Sequence, residues 1–251
     1  MPTPYVLTNA TLDVLKNFAS INNQTVFKAG TAQRTCNAAR NFIADAEFDD
    51  PLPLDCSLSE LNRLLGIIDT CKGIVLPTLT FNEKELVVVH DDGSVTIPYA
   101  HNDVVAKPPT QQYYMPNPIA TFDLSLALWT KMRRTAAVLG TTLMHIIIEK
   151  KQELTLKLVN EKDKGGEAAG TASYRMANPI VSGEMSGVWG VKFDALELMP
   201  GNYSVSVGDI STTLVAPTGP VPATIFGMFF KLIDPTKKMT YLTSGHVVKT
   251  R

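Results

Sequence analysis

Apolar residues recur along this chain with two periods, and the switch between them marks off helices from strands. Over residues 11–21, TLDVLKNFASI, Leu12, Val14, Leu15, Phe18, Ala19 and Ile21 sweep one side while Asp13, Lys16, Asn17 and Ser20 take the other, the pattern of a helix. A second helix is predicted from Ser57, which stands at capping-box spacing from Glu60; Leu58, Leu61, Leu64, Leu65 and Ile68 form its apolar side, with Asn62, Arg63 and Thr70 opposite. A third is predicted over 123–139 and ends at Gly140. Leu128, Trp129, Met132, Ala136 and Leu139 share one of its faces, and Lys131, Arg133 and Arg134 the other.

Between the helices the period falls to two. Strands are predicted at QTVFKAG (24–30), NFIADAEF (41–48), IVLPTLTF (74–81), ELVVVH (85–90) and SVTIPYA (94–100), the last two joined by a turn at Asp91, Asp92 and Gly93 because Asp and Gly tolerate positive φ. In the second half they fall at TLMHIIIEK (142–150), ELTLKLVNE (153–161), STTLVAP (211–217) and ATIFGMFFKLI (223–233). KDKGGEAAGT (162–171) reads as a loop leading into a further strand, and KFDALELMPGNYSVSV (192–207) as a short helix stopped by Pro200 and Gly201, then a strand.

KPPTQQYYMPNP, residues 107–118, has four prolines and no apolar period, so it reads as a semi-rigid extended connector. It divides the chain into domains at 1–106 and 119–251. Each half then runs helix, strands, helix, strands, which suggests a duplication. The predicted class is α+β.

At 251 residues and 45% apolar, the chain can build cores for two domains, and it has no apolar run of the length a transmembrane helix needs. The opening residues lack the basic and continuous apolar regions of a secretory signal, which points to the cytoplasm. Cys36, Cys56 and Cys71 match no metal or redox spacing and read as reduced, partly buried thiols.

Catalytic chemistry is not written in any recognisable spacing. His90, His101, His145 and His246 are scattered, and His145 lies in an alternating strand as a structural residue would. GEMSGVWG (183–190) lacks phosphate-binding glycine spacing and reads as a loop. Asp45, Glu47, Asp49, Asp50 and Asp55 are interrupted by Phe48, Pro51 and Pro53, so a solvated strand and turn is a better reading than a metal site. No enzyme, no metal and no cofactor is expected.

The formal net charge of −1 excludes a generally basic nucleic-acid binder but not a local basic surface, since exposed charges act over a Debye length of about 8 Å. Lys16, Arg63, Lys131, Arg133 and Arg134 all fall on the polar sides of helices. Such cations contact phosphates and carry affinity without base readout.

Five segments give this pattern a family likeness: LKNFASIN (15–22) with KAG (28–30), LNRLLGI (61–67), VVAKPP (104–109) and MPGNYSV (199–205). In order and spacing they resemble the sliding clamps of T-even-type bacteriophages, the DNA polymerase processivity factors, from about residue 10 to residue 207. The resemblance implies the DNA-clamp fold: two similar helix-and-antiparallel-sheet domains per subunit, sheets outside, helices lining a ring, and three subunits closing a homotrimer. It implies a sequence-independent hold on double-stranded DNA through Lys16, Arg63, Lys131, Arg133 and Arg134, with acidic residues on the outer surface. It also implies as partners the replicative DNA polymerase and a clamp-loader ATPase, in the cytoplasm of the infected bacterial host. Tyr113, Tyr114, Met115 and Ile119 are the candidate docking residues near the connector. Two other classes stay open on sequence alone: a non-enzymatic viral structural or assembly protein, and a metal-dependent DNA-processing enzyme.

Overall fold

The computed structural model describes residues 3–71, 76–101, 103–149, 153–160, 170–182, 186–212, 225–234 and 238–248. The chain divides into two compact units, Met1–Pro109 with Pro235–Met239, and Thr110–Asp234 with Thr240–Arg251. The main division therefore falls between Pro109 and Thr110, inside the proline-rich stretch.

The first unit contains β1 (Thr3–Val6), α1 (Asn9–Ile21), β2 (Thr25–Phe27), β3 (Gly30–Cys36), β4 (Phe42–Leu52), β5 (Cys56–Leu58), α2 (Leu61–Cys71), β6 (Thr78–Phe81), β7 (Glu85–His90) and β8 (Gly93–Pro98). An antiparallel sheet runs β1-β6-β7-β8, and β2 pairs with β5 and β3 with β4. Thr8 caps α1 by accepting from the Thr11 amide at 3.1 Å. The apolar stripe of α1 is buried as its period requires, and α1 and α2 pack against each other. Phe18, Phe42, Leu61 and Val88 are completely enclosed in the core, each such side chain contributing about 1.5–3 kcal/mol by leaving water.

Three expectations for this unit need correcting. Ser57 does not cap α2: it is buried in β5 opposite Val26, and the helix opens at Leu61. The first donors of α2 go instead to Asn23, the Leu61 amide to its carbonyl oxygen and the Asn62 amide to its Oδ1, both at 2.7 Å. The β7–β8 hairpin forms with Asp91 and Asp92 in the turn, but the positive φ is carried by Gly93 (157°) and not by the aspartates. Of IVLPTLTF only Thr78–Phe81 is strand, and 74 and 75 lie outside the described residues.

The second unit contains β9 (Tyr113–Tyr114), β10 (Pro118–Leu124), α3 (Leu126–Leu139), β11 (Leu143–Glu149), β12 (Glu153–Val159), β13 (Ala172–Arg175), β14 (Ile180–Val181), β15 (Gly187–Lys192), β16 (Tyr203–Thr212), β17 (Ile225–Leu232) and most of β18 (Lys238–Val247). Its strands run in the order β13-β12-β11-β15-β18-β17-β16-β10-β14, antiparallel throughout, with β9 paired to the end of β16. One face is apolar: Ile146, Leu156, Val191, Val205, Met228 and Tyr241 are buried along it.

Here too the sequence reading is corrected. Helix α3 begins at 126, not 123, because Asp123 and Leu124 are still paired in β10 with Ser204 and Tyr203. Ser125 caps it through the Leu128 amide (3.2 Å), Asn202 Oδ1 accepts from the Leu126 amide (2.9 Å), and Gly140 ends it at φ 64°. The helix expected at 192–199 is absent. Phe193 and Leu196 make a single turn (3.2 Å), after which burial alternates through Leu196, Glu197 and Leu198, the period of an extended segment. The two units are therefore not equal copies, since α2 has no counterpart among the described residues. Gly187–Gly190 belongs to β15 and not to a loop, the connector expected to be extended includes the short strand Tyr113–Tyr114, and β18 is a strand the hydrophobic pattern did not announce. Most of the 162–171 loop, 213–217 of STTLVAP and 183–185 of GEMSGVWG lie outside the described residues.

Candidate nucleic-acid interface

The five helical cations differ in what already holds them. In α1, Asp13 offsets Lys16, and in α2, Asp69 offsets Arg63, whereas α3 carries Lys131, Arg133 and Arg134 with no carboxylate. The positive charge thus concentrates on one helix. Lys16 and Arg134 are exposed and make no hydrogen bond or ion pair with the described residues. Arg63 is exposed and only loosely paired with Glu60, at 3.9 Å. Lys131 lies over the Tyr174 ring of β13, 5.9 Å from its centroid, with its charged end in water.

Arg133 is placed differently. Its Nη1 donates to the Leu196 carbonyl oxygen at 2.9 Å, its Nη2 lies 3.5 Å from Glu197 Oε2, and its guanidinium is 5.8 Å from the Trp129 ring. Trp129 in turn meets Phe193 edge-on at 5.1 Å. Arg133 therefore ties α3 to the 193–199 segment, while Ala127, Lys131, Arg134 and Val138 make the open stripe. Val138 is 85% exposed on that stripe, so no side chain of its own unit covers it. Long cations without fixed partners suit interchangeable phosphate contacts and not the fixed geometry of base recognition.

The connector residues also separate. Tyr114 is 45% exposed, while Tyr113, Met115 and Ile119 are half-buried. Tyr113 and Tyr114 pair with Thr212 and Ser211 on β16, and Met115 packs over Gly208, where an added Cβ would lie 3.2 Å from its Sδ. Only Tyr114 presents a large ring to solvent in that group.

The remaining chemistry is structural. Cys36 and Cys56 are buried and Cys71 is half-buried, and all three are free; burial and the neighbouring Asp55 push the Cys56 thiol up to about 12, leaving it protonated and unreactive. Asp45, Glu47 and Asp49 alternate along the solvent side of β4. Arg34 takes Asp45 through two nitrogens, Lys238 takes Glu47 at 3.1 Å, and Lys28 takes Asp55 at 2.6 Å. On the solvent side of the second unit's sheet Lys157, Lys192 and Lys231 stand among Asp123, Glu149 and Glu153, so that face carries both signs of charge. Two site-shaping residues escaped the sequence reading, Asn23 and Asn202. Each caps a helix from a distant segment, and the one local signal was Asn202 inside the PGNY motif.

Similarity to known proteins fits this architecture. The chain is 28% identical over 205 residues, 80% of its length and 89% of the relative's, to the sliding clamp of Vibrio phage KVP40. The proliferating cell nuclear antigen of Thermococcus kodakaraensis superposes with a TM-score of 0.64 at 11% identity, covering 97% of this chain and 99% of that one. The chain has the sliding-clamp fold. The PCNA of A. fulgidus, solved with the C-terminal region of FEN-1 bound, superposes at a TM-score of 0.63 and 10% identity with both chains fully covered. The DNA polymerase III beta chain of Streptococcus pneumoniae gives 0.61 at 10% identity over 100% of this chain and 65% of that one. No family model matches the chain.

Proposed function

We propose that the chain is a DNA polymerase sliding clamp of the phage type, a ring of three copies that encircles duplex DNA and tethers the replicative polymerase. The observation that carries the reading is α3, a helix with three cations and no carboxylate, whose open stripe is not covered by its own unit. The clamp fold supplies the context in which that stripe has a partner.

The function on this reading is topological and not catalytic. A closed ring leaves DNA only by opening or by reaching an end. It slides because its contacts to phosphates are weak, numerous and exchangeable, many through water. Lys16, Arg63, Lys131 and Arg134 make those contacts, with Arg133 contributing field more than direct touch. Tyr114 is the exposed anchor at the connector for a polymerase segment, an aromatic able to bury a large apolar area on binding. A clamp-loader ATPase opens the ring, and the setting is the cytoplasm of an infected bacterium.

The test is retention on DNA. Loaded by its loader onto nicked circular DNA, the protein should stay bound through gel filtration in high salt and be released when the circle is cut once. Equal retention on circular and linear DNA rules out an encircling ring.

A further inference from the structure

The clamp reading gives no role to any of the four histidines, and strand register brings two of them onto one line. His145 on β11 stands opposite Gly190 on β15, and Gly190 stands opposite His246 on β18. Lys157 on β12 extends the row on the far side of His145. The row lies on the solvent side of the sheet, because the alternate residues Met144, Ile146, Trp189 and Val191 are buried on the other. His145 is half-buried and His246 is exposed.

Gly190 makes the middle of this row a saddle. A Cβ there would lie 2.8 Å from Cε1 and 2.9 Å from Nε2 of His246, so the tip of the imidazole rests over the glycine and points toward β11. Neighbouring strands are about 4.8 Å apart, so β11 and β18 are separated by about 10 Å. Two imidazoles binding one ion at about 2.0–2.1 Å each can bridge that span when one already leans across it.

We propose that His145 and His246 form a two-histidine site for a divalent transition-metal ion of the Ni2+, Cu2+ and Zn2+ class, with water completing the coordination. An imidazole ligates a metal through an unprotonated ring nitrogen, and each of the two rings has one to offer. Burial first, and then the nearby His246 and Lys157, hold His145 below the usual histidine range. The groups facing His145 are Lys157 from β12, Gly190 from β15 and, beyond it, His246 from β18; Lys192 is two residues along on the same face. None is a carboxylate, so the site favours imidazole-seeking ions and rejects Mg2+ and Ca2+. The inference does not rest on the clamp reading.

The experiment is calorimetric titration of the full chain with NiCl2 at pH 7.5, repeated with MgCl2. One Ni2+ per chain is expected, with no Mg2+ uptake. His145→Ala and His246→Gln should each abolish that uptake, while His101→Ala, which removes an imidazole 3.3 Å from Asp103, leaves it intact. In the wild-type chain, paramagnetic Ni2+ should broaden the ring-proton resonances of His145 and His246 together and spare those of His90. No uptake by the wild type, uptake that survives either histidine change, or broadening that misses one of the two rings overturns the proposal.

Discussion

Arg133 donates to the carbonyl oxygen of Leu196 at 2.9 Å, which fastens the middle of α3 to the extended segment that replaces a helix in the second unit. Arg134, next in sequence, has no such partner and stands on the open stripe. Adjacent arginines that look equivalent in the sequence thus have separable roles. Removing Arg133 leaves a carbonyl and Glu197 without their cation, a loss of about 1–2 kcal/mol after allowing for partial exposure. Arg133→Ala is therefore expected to lower the unfolding free energy by that amount, read as a lower urea midpoint, while Arg134→Ala leaves the midpoint unchanged.

On DNA the order reverses. Arg134→Glu should weaken retention and processive synthesis with the fold intact, and the log–log salt slope should fall by about 0.9 for each phosphate that is no longer neutralised. Lys131→Ala should act in the same direction. The measurement is processive extension length against salt concentration, and an Arg134→Glu protein indistinguishable from wild type at every salt concentration would remove Arg134 from the interface.

Asn202 ties the PGNY motif to the same helix. Its Oδ1 accepts from the Leu126 amide at 2.9 Å, and its carbonyl oxygen accepts from the Ile233 amide at 2.8 Å. Asn202→Ala should cost about 1 kcal/mol, the usual loss of a side-chain cap, read as a drop in denaturation midpoint and faster amide exchange in the first turn of α3. Unchanged exchange at Leu126 would show that Ser125 alone suffices.

The helices α1 and α3 and the central strands were legible in the sequence because a 3.6-residue or two-residue period is imposed by burial on one face. The misreadings share a cause. Ser57–Glu60 has the local form of a cap, yet Ser57 is claimed by β2–β5 pairing and the capping comes from Asn23, outside any local window. Residues 192–199 are good helix formers, but Arg133 and the Phe193–Trp129 packing hold them extended. The cationic faces could be seen in advance as a set, because charge is a property of residue type. Which of the five cations is free could not, because Glu197 and Tyr174 reach them from segments distant in sequence.

Acid should act through Asp55. The Lys28 ammonium and the Ala29 amide (2.8 Å) hold its carboxyl below the usual range. A depressed carboxylate contributes stability that is fully present above its unfolded pKa of about 3.9 and is lost as pH falls through the lower folded value. The pair is exposed, so the gain is small. Asp55→Asn should thus be slightly less stable than wild type at pH 7, and the gap should close as pH falls through the lowered folded value. A gap that widens in acid contradicts the assignment.

Gly227 tests the packing of the second unit's sheet most severely. A Cβ added there would lie 2.2 Å from Ile210 Cδ1 and 2.3 Å from the Thr243 carbonyl oxygen, and the second of these is backbone that cannot step aside. β17 is central, paired with β16 on one side and β18 on the other, so any relief must bend both ladders. Overpacking of this kind costs about 1–3 kcal/mol, and collision with backbone puts Gly227→Ala at the upper end. Gly30→Ala is the counterpart without a clash, since nothing lies within 4 Å of its added Cβ, and its cost comes only from φ of 102°. Equilibrium urea unfolding of the two variants separates the causes. The Gly227 variant should also lose the close fit of Phe226 on Trp189, now stacked at 5.3 Å, and with it the ellipticity of that aromatic pair in the near ultraviolet, while the Gly30 variant keeps it.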